Sequence, residues 1–284
     1  MTTPPRRHAL LGLAATLPLL STPTAANATG PSLVDRLADP GQVGSASGLG
    51  LFGRRSEVNF PTWLAGDWDA TSTFDAFRAP LGNRFDILGV GKSSPNPGDQ
   101  LSFPLRFTST SRASISNTTT SSRLVEPDRA YNAKSTFNAR ALKEVGFSPI
   151  QTVDYDPKEG RLVLIFSKVG PDMQPLPQRR LELFIRSRDG YLSEDGDVFY
   201  ASEQYRQVYV APRTVDVTDY EVLWSFRLET DGQVAVRQRT LYFLEPRDEL
   251  YFEANGKAVA VYDEHLTMTR AVRTEVEDGS VRSG

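Results

Sequence analysis

Along most of the chain, apolar and polar residues alternate with a period of two. This is the pattern of strands with one buried face, not of amphipathic helices. Between residues 60 and 76, Leu64, Gly66, Trp68, Ala70, Ser72, Phe74 and Ala76 share one face, and Asp67, Asp69, Thr71, Thr73 and Asp75 the other. Residues 218–229 repeat the pattern more cleanly. Thr218, Tyr220, Val222, Trp224, Phe226 and Leu228 alternate with Asp219, Glu221, Ser225, Arg227 and Glu229. Lys158-Glu159-Gly160, Asp189-Gly190, Asp231-Gly232 and Asn255-Gly256 separate strand-like runs. Asp-Gly and Asn-Gly suit two-residue hairpins, because both central positions need positive φ. Antiparallel pairing is therefore expected between 222–229 and 233–243, and between 249–254 and 257–270. A long meander of such hairpins avoids exposed edges by closing on itself. The predicted fold is mainly β: an antiparallel meander of about eight to ten strands that closes, or nearly closes, into a barrel. One short helical insertion is expected at 129–146. Residues 90–99 read as a loop, and the apolar-poor 108–122 as an edge strand followed by a mobile loop.

The N-terminus does not follow this pattern. Residues 1–28 carry Arg6 and Arg7, an apolar run from about Ala9 to Leu20, and Ala26-Asn27-Ala28, the layout of a cleavable export signal. The apolar run falls short of the roughly 20 residues of a transmembrane helix. The paired arginines suggest twin-arginine export. His8-Ala9 stands where that signal has a bulky residue, so the general secretory route stays open. Residues 29–59 read as a flexible arm, in which 32–39 has the length for two turns of helix. The folded domain is expected at 60–272 and a disordered tail at 273–284.

Composition narrows the chemistry. The chain has 284 residues, 39% hydrophobic and 24% charged, with a net charge of −3. Removing Arg6 and Arg7 with the signal leaves 30 basic against 35 acidic residues, net −5. With no basic stripe, nucleic-acid binding is excluded. There is no cysteine, so disulfide, thiolate and cysteine–zinc chemistry are excluded as well. His265 is the one histidine after the signal, which rules out a multi-histidine metal site. Acid pairs beside turns, such as Asp154 and Asp156, lack the glycine and distal glutamate of an EF-hand loop. No P-loop, nucleophile elbow or HExxH motif is present. No catalytic constellation and no metal site emerge.

Gly66-Asp67-Trp68 on a first strand resembles the opening motif of the lipocalins and the wider calycin group. Thr218-Asp219-Tyr220 resembles their second motif, and Arg270, ending the last strong strand, stands where their third places an arginine. The resemblance implies a lipocalin-like barrel in which Gly66, Trp68 and Arg270 form a structural clamp at one end. An inward arginine needs such a partner, because burying an unpaired charge is costly. FPTWLAGDWDATSTF (60–74), APLG (79–82), EPDRAYNAKS (126–135), ASEQYRQVYV (201–210) and RQRTLYFLEP (237–246) resemble an uncharacterised, lipocalin-like family of cyanobacteria and plastids. That likeness spans about 58–272. It implies a periplasmic or thylakoid-lumen setting, and it carries over no catalytic residues. An export signal without a preceding transit peptide suggests a cyanobacterial source or an incomplete precursor.

The expected function is binding of a small apolar or amphipathic ligand, of lipid, pigment or quinone-like type, without catalysis and without an obligatory cofactor. Tyr220, Trp224, Phe226 and Arg206 are the candidate ligand contacts. The three aromatics share an inward face, and Arg206 would bind a carboxylate or head group if it points inward. Plain core packing for the aromatics and a surface ion pair for Arg206 are the competing readings. His265, on the face opposite Arg270, is expected to be solvated. The alternative function is a structural or assembly partner of thylakoid membrane complexes, with the barrel filled by side chains. Ligand contacts are expected away from the Trp68 end.

Overall fold

The computed structural model describes residues 32–38, 57–85, 95–111 and 123–272. The expected export signal, residues 29–31 and 39–56 of the expected arm, residues 86–94 with the first half of the 90–99 loop, residues 112–122 and the expected tail lie outside them. The ten strands are β1 (Gly66–Arg78), β2 (Gln100–Ser111), β3 (Arg123–Pro127), β4 (Ile150–Asp156), β5 (Arg161–Phe166), β6 (Arg180–Leu192), β7 (Val198–Ala211), β8 (Thr214–Leu228), β9 (Val234–Phe243) and β10 (Ala260–Arg270). They form one antiparallel sheet in the order β3-β2-β1-β10-β9-β8-β7-β6-β5-β4. The chain is therefore mainly β and a meander, as its alternation predicts. The β1–β10 pair is the exception to sequential pairing, and it sets the first and last strands side by side.

The sheet curls into a half-barrel. A 17-residue helix, α2 (Arg129–Val145), spans the open side. This is the expected insertion. Asp128 caps its start by accepting from the Tyr131 amide at 3.1 Å, and Gly146 ends it in a left-handed conformation at φ 79°. Two asparagines on α2 supply what a neighbouring strand otherwise would. Asn132 accepts from the Arg106 amide of β2 at 2.7 Å and donates to its carbonyl at 3.0 Å. Asn138 does the same for Ile150 of β4, at 2.8 and 3.1 Å. Closure thus runs through helix side chains, not through a β3–β4 ladder.

Two of the expected hairpins form. Gly160, at φ 63°, turns β4 into β5, and Gly232, at φ 80°, turns β8 into β9. Two others are corrected. Asp189-Gly190 lies inside β6, and the β6–β7 turn falls at 193–197. Gly190 makes room for packing: a Cβ there would come within 2.7 Å of Val58 and 3.0 Å of Phe199. The run 249–254 is not a strand. It contains a single helical turn, α3 (Tyr251–Ala254), ended by Asn255 at φ 49°. A left-handed asparagine stops a helix as readily as it opens a hairpin.

The convex face is less polar in its setting than the alternation suggests. Helix α1 (Leu33–Ala38), the short helix anticipated at 32–39, lies across it. Leu33 and Leu37 pack with Leu223, Leu241 and Val261. Arg36 forks onto Glu221 at 3.0 and 2.5 Å, and Glu221 is only 2% exposed. Packing also begins before Phe60: the Asn59 side chain accepts from the Val125 amide at 2.9 Å.

Candidate functional site

The two ends of the concave side do different things. At one end, the β1–β10 register sets Trp68 directly opposite Arg270. The indole is fully buried and donates from Nε1 to the Leu64 carbonyl at 2.7 Å. The Arg270 guanidinium lies 3.9 Å from the indole centroid and donates to the carbonyls of Trp63, at 2.8 Å, and Ala65. Gly66 sits at φ 121°, and a Cβ there would lie 2.5 Å from Arg270 Nη1. The predicted clamp residues therefore meet, and each is consumed by the contact with the others.

Further along the same face, a cavity of about 300 Å³ lies between the sheet and α2. Its walls are mostly apolar, with Phe103, Phe107, Leu183, Val222, Leu266 and Met268 among them. The predicted contacts Tyr220, Trp224 and Phe226 all line it. Arg206 does not. On β7 the odd-numbered Glu203 and Tyr205 face the cavity, so Arg206 points to the other side of the sheet. There it forks onto Asp219 at 2.8 and 2.6 Å and approaches Glu245 at 3.4 Å. Its charge is matched by a surface network, which removes it from the ligand contacts. His265 is exposed, with Nδ1 2.6 Å from Asp75.

Tyr220 belongs to a band of tyrosines that crosses four strands. Ring centroids run Tyr205 to Tyr220 at 5.2 Å, Tyr220 to Tyr242 at 5.7 Å and Tyr242 to Tyr262 at 5.9 Å. Burial raises the Tyr220 phenol well above its ordinary range and pushes Tyr242 up to about 12. Both stay neutral, as does Tyr205, which burial also raises and which donates to Glu203.

Two charged features of this face were not anticipated from the sequence. The first is a buried ion cluster at the start of α2. Arg129 donates to Glu203 at 3.0 and 2.6 Å and to Glu57, which Arg188 meets at 2.9 Å. Burial acts to raise the Glu203 carboxyl, but the Arg129 guanidinium outweighs it and holds Glu203 below the usual range. The second is a polar chain in the cavity wall. Trp224 Nε1 donates to Gln238 Oε1 at 2.7 Å, and Gln238 Nε2 donates to Glu264 Oε2 at 2.8 Å. Burial holds the Glu264 carboxyl above the usual range. The sequence does carry a signal for Glu264. It is an acid on the even-numbered face of 258–270, among Ala260, Tyr262, Leu266 and Met268. Nothing comparable marks Arg129 and Glu203, which lie 74 positions apart.

A family model described as Domain of unknown function (DUF6816) matches residues 53–272. The chain belongs to this family. The DUF6816 match starts before Phe60 and so takes in Glu57 and Asn59, in keeping with their packing against α2 and β3. Searches of curated proteins and of solved structures found no match. Both the clamp and the cavity fall wholly within the DUF6816 region. Among the described residues, no group of three or more His, Asp or Glu side chains converges as a metal-binding set.

Proposed function

We propose that this DUF6816 member is a non-catalytic, exported, lipocalin-like protein that holds a small apolar or amphipathic ligand between its curled sheet and α2. The carrying observation is the cavity: concave, preformed, about 300 Å³, and walled mainly by aromatic and aliphatic side chains. Small-molecule sites are of this kind, and about 300 Å³ is the lower end of their range, enough for a small ligand or one arm of a lipid, pigment or quinone-like molecule. The Trp68–Arg270 clamp supports the lipocalin likeness. The arrangement of residues 1–28 supports export, to a periplasm or a thylakoid lumen. The alternative, an assembly partner of thylakoid membrane complexes, expects a concave side filled by side chains, so the cavity weighs toward ligand binding.

The test is to purify the protein from its native host and analyse it by absorption and by mass spectrometry after organic extraction. A lipid, pigment or quinone recovered in stoichiometric amount supports the reading. Reproducible absence of any such molecule, together with co-purification of a membrane complex, overturns it in favour of the partner role.

A further inference from the structure

Among the polar side chains that line the cavity, Glu203 is paired with Arg129 and Tyr205, whereas Ser72 and Glu264 keep hydrogen-bonding capacity in reserve. Ser72 on β1 and Glu264 on β10 are diagonal neighbours on its wall: in the register Ser72 faces Leu266, and Glu264 faces Phe74. Ser72 is 6% exposed, and its hydroxyl meets no hydrogen-bond partner among the described residues. A buried hydroxyl left without a partner loses its hydration for no return. Glu264 is only half used. The indole of Trp224 can only donate, so it fixes the Gln238 carboxamide with its oxygen toward Trp224 and its NH₂ toward Glu264 Oε2. The other carboxyl oxygen, Oε1, is 3.8 Å from Arg140, too far for a hydrogen bond.

The position of this pair is informative. Ser72, Leu101, Arg140 and Glu264 line both the apolar cavity and a second one of about 260 Å³. The second is bounded by polar residues, including Asp99, Gln100, Lys143 and Glu144. Ser72 and Glu264, each with spare hydrogen-bonding capacity, thus stand at the junction of a mostly apolar chamber and a polar vestibule.

We propose that Ser72 and Glu264 form the polar anchor of the site, and that its ligand is a neutral molecule with a hydroxyl head on an apolar body. This rests on the binding function proposed above. The body fills the apolar chamber, and the hydroxyl sits at the junction within reach of both side chains. A hydroxyl both donates and accepts. It therefore satisfies the Ser72 oxygen and Glu264 together, whether Glu264 presents a carboxylate or a carboxylic acid. A carboxylate or phosphate head would instead face the Glu264 oxygen, and Arg140, the one cation among the described residues that lines both cavities, is already turned toward that acid. An ammonium head would meet Arg140.

The experiment uses the delipidated full-length protein and measures Nile red binding by fluorescence and the displacement of Nile red by decanol, decanoate and decylamine at neutral pH. Decanol is expected to compete at least about tenfold better than decanoate or decylamine. Ser72→Ala and Glu264→Leu should each weaken decanol by about 3- to 10-fold more than they change Nile red affinity, with circular dichroism and a cooperative thermal transition showing that each variant folds. Glu264→Gln keeps an acceptor and should stay within about threefold of the wild type. Nile red binding with decanol indifferent to both Ser72→Ala and Glu264→Leu overturns the anchor and leaves the cavity reading standing. Decanoate binding tightest, and lost in Arg140→Ala, overturns the neutral head in favour of an anionic one. Failure of Nile red and of all three competitors to bind overturns both the anchor and the binding function.

Discussion

Replacing Gly66 by alanine tests the clamp at its tightest point. Gly66 has φ 121°, a region that side-chain-bearing residues enter at about 1–3 kcal/mol. The new methyl group would also start 2.5 Å from Arg270 Nη1 and would have to push the guanidinium away. That motion gives up a cation–π contact, worth about 1 kcal/mol for a cation as exposed as Arg270. It also strips the Trp63 and Ala65 carbonyls of their donor. Together these predict a loss of about 2–4 kcal/mol, or about 4–16 °C in Tm for a domain of this size. Urea unfolding monitored by tryptophan fluorescence measures it directly. A cycle with Arg270→Ala separates the two components. Once the arginine side chain is gone, only the backbone strain remains, so Gly66→Ala should cost about 1–2 kcal/mol less in that background. The reasoning is refuted if Gly66→Ala lies within about 0.5 kcal/mol of the wild type, or if the two substitutions are additive.

Three further outcomes are expected. Arg129→Met removes the partner of the buried Glu203 and should destabilise by about 3–5 kcal/mol in urea unfolding, with much of the loss recovered by adding Glu203→Gln; equal stability of the single and double variants would contradict this. Glu264, held above its unfolded value by burial, binds its proton more tightly in the folded state. Its stabilising contribution is complete below the unfolded value and fades as pH rises through the folded one. The stability of the wild type relative to Glu264→Gln should therefore fall as pH rises above the unfolded glutamate value of about 4.3, and a flat or rising difference would reject the assignment. Gly190→Ala inserts a methyl group 2.7 Å from Val58 and 3.1 Å from the Tyr200 carbonyl; overpacking predicts a loss of about 1–3 kcal/mol in thermal unfolding, whereas a gain would mean that the strand has room there.

What the sequence determined by itself was local and periodic. The alternation in 60–76 and 218–229 assigned faces to β1 and β8, because in an extended chain side chains must alternate. The same arithmetic put Tyr220, Trp224 and Phe226 on one wall, and the long helix was legible at 129–146. The tertiary structure decided everything that depends on which surfaces meet. Asn255 fits a helix stop and a hairpin equally well, and only the packing around α3 chose. Gly190 signalled a turn, but it is the contact with Val58 and Phe199 that needs a residue without a side chain. Arg206 could be assigned to the face opposite Tyr205 from alternation, but which of those faces is concave depends on the curl of the whole sheet. Arg129 and Glu203, and likewise Ser72 and Glu264, are far apart in the chain. They become neighbours only because α2 spans the half-barrel and because the last strand returns to pair with the first.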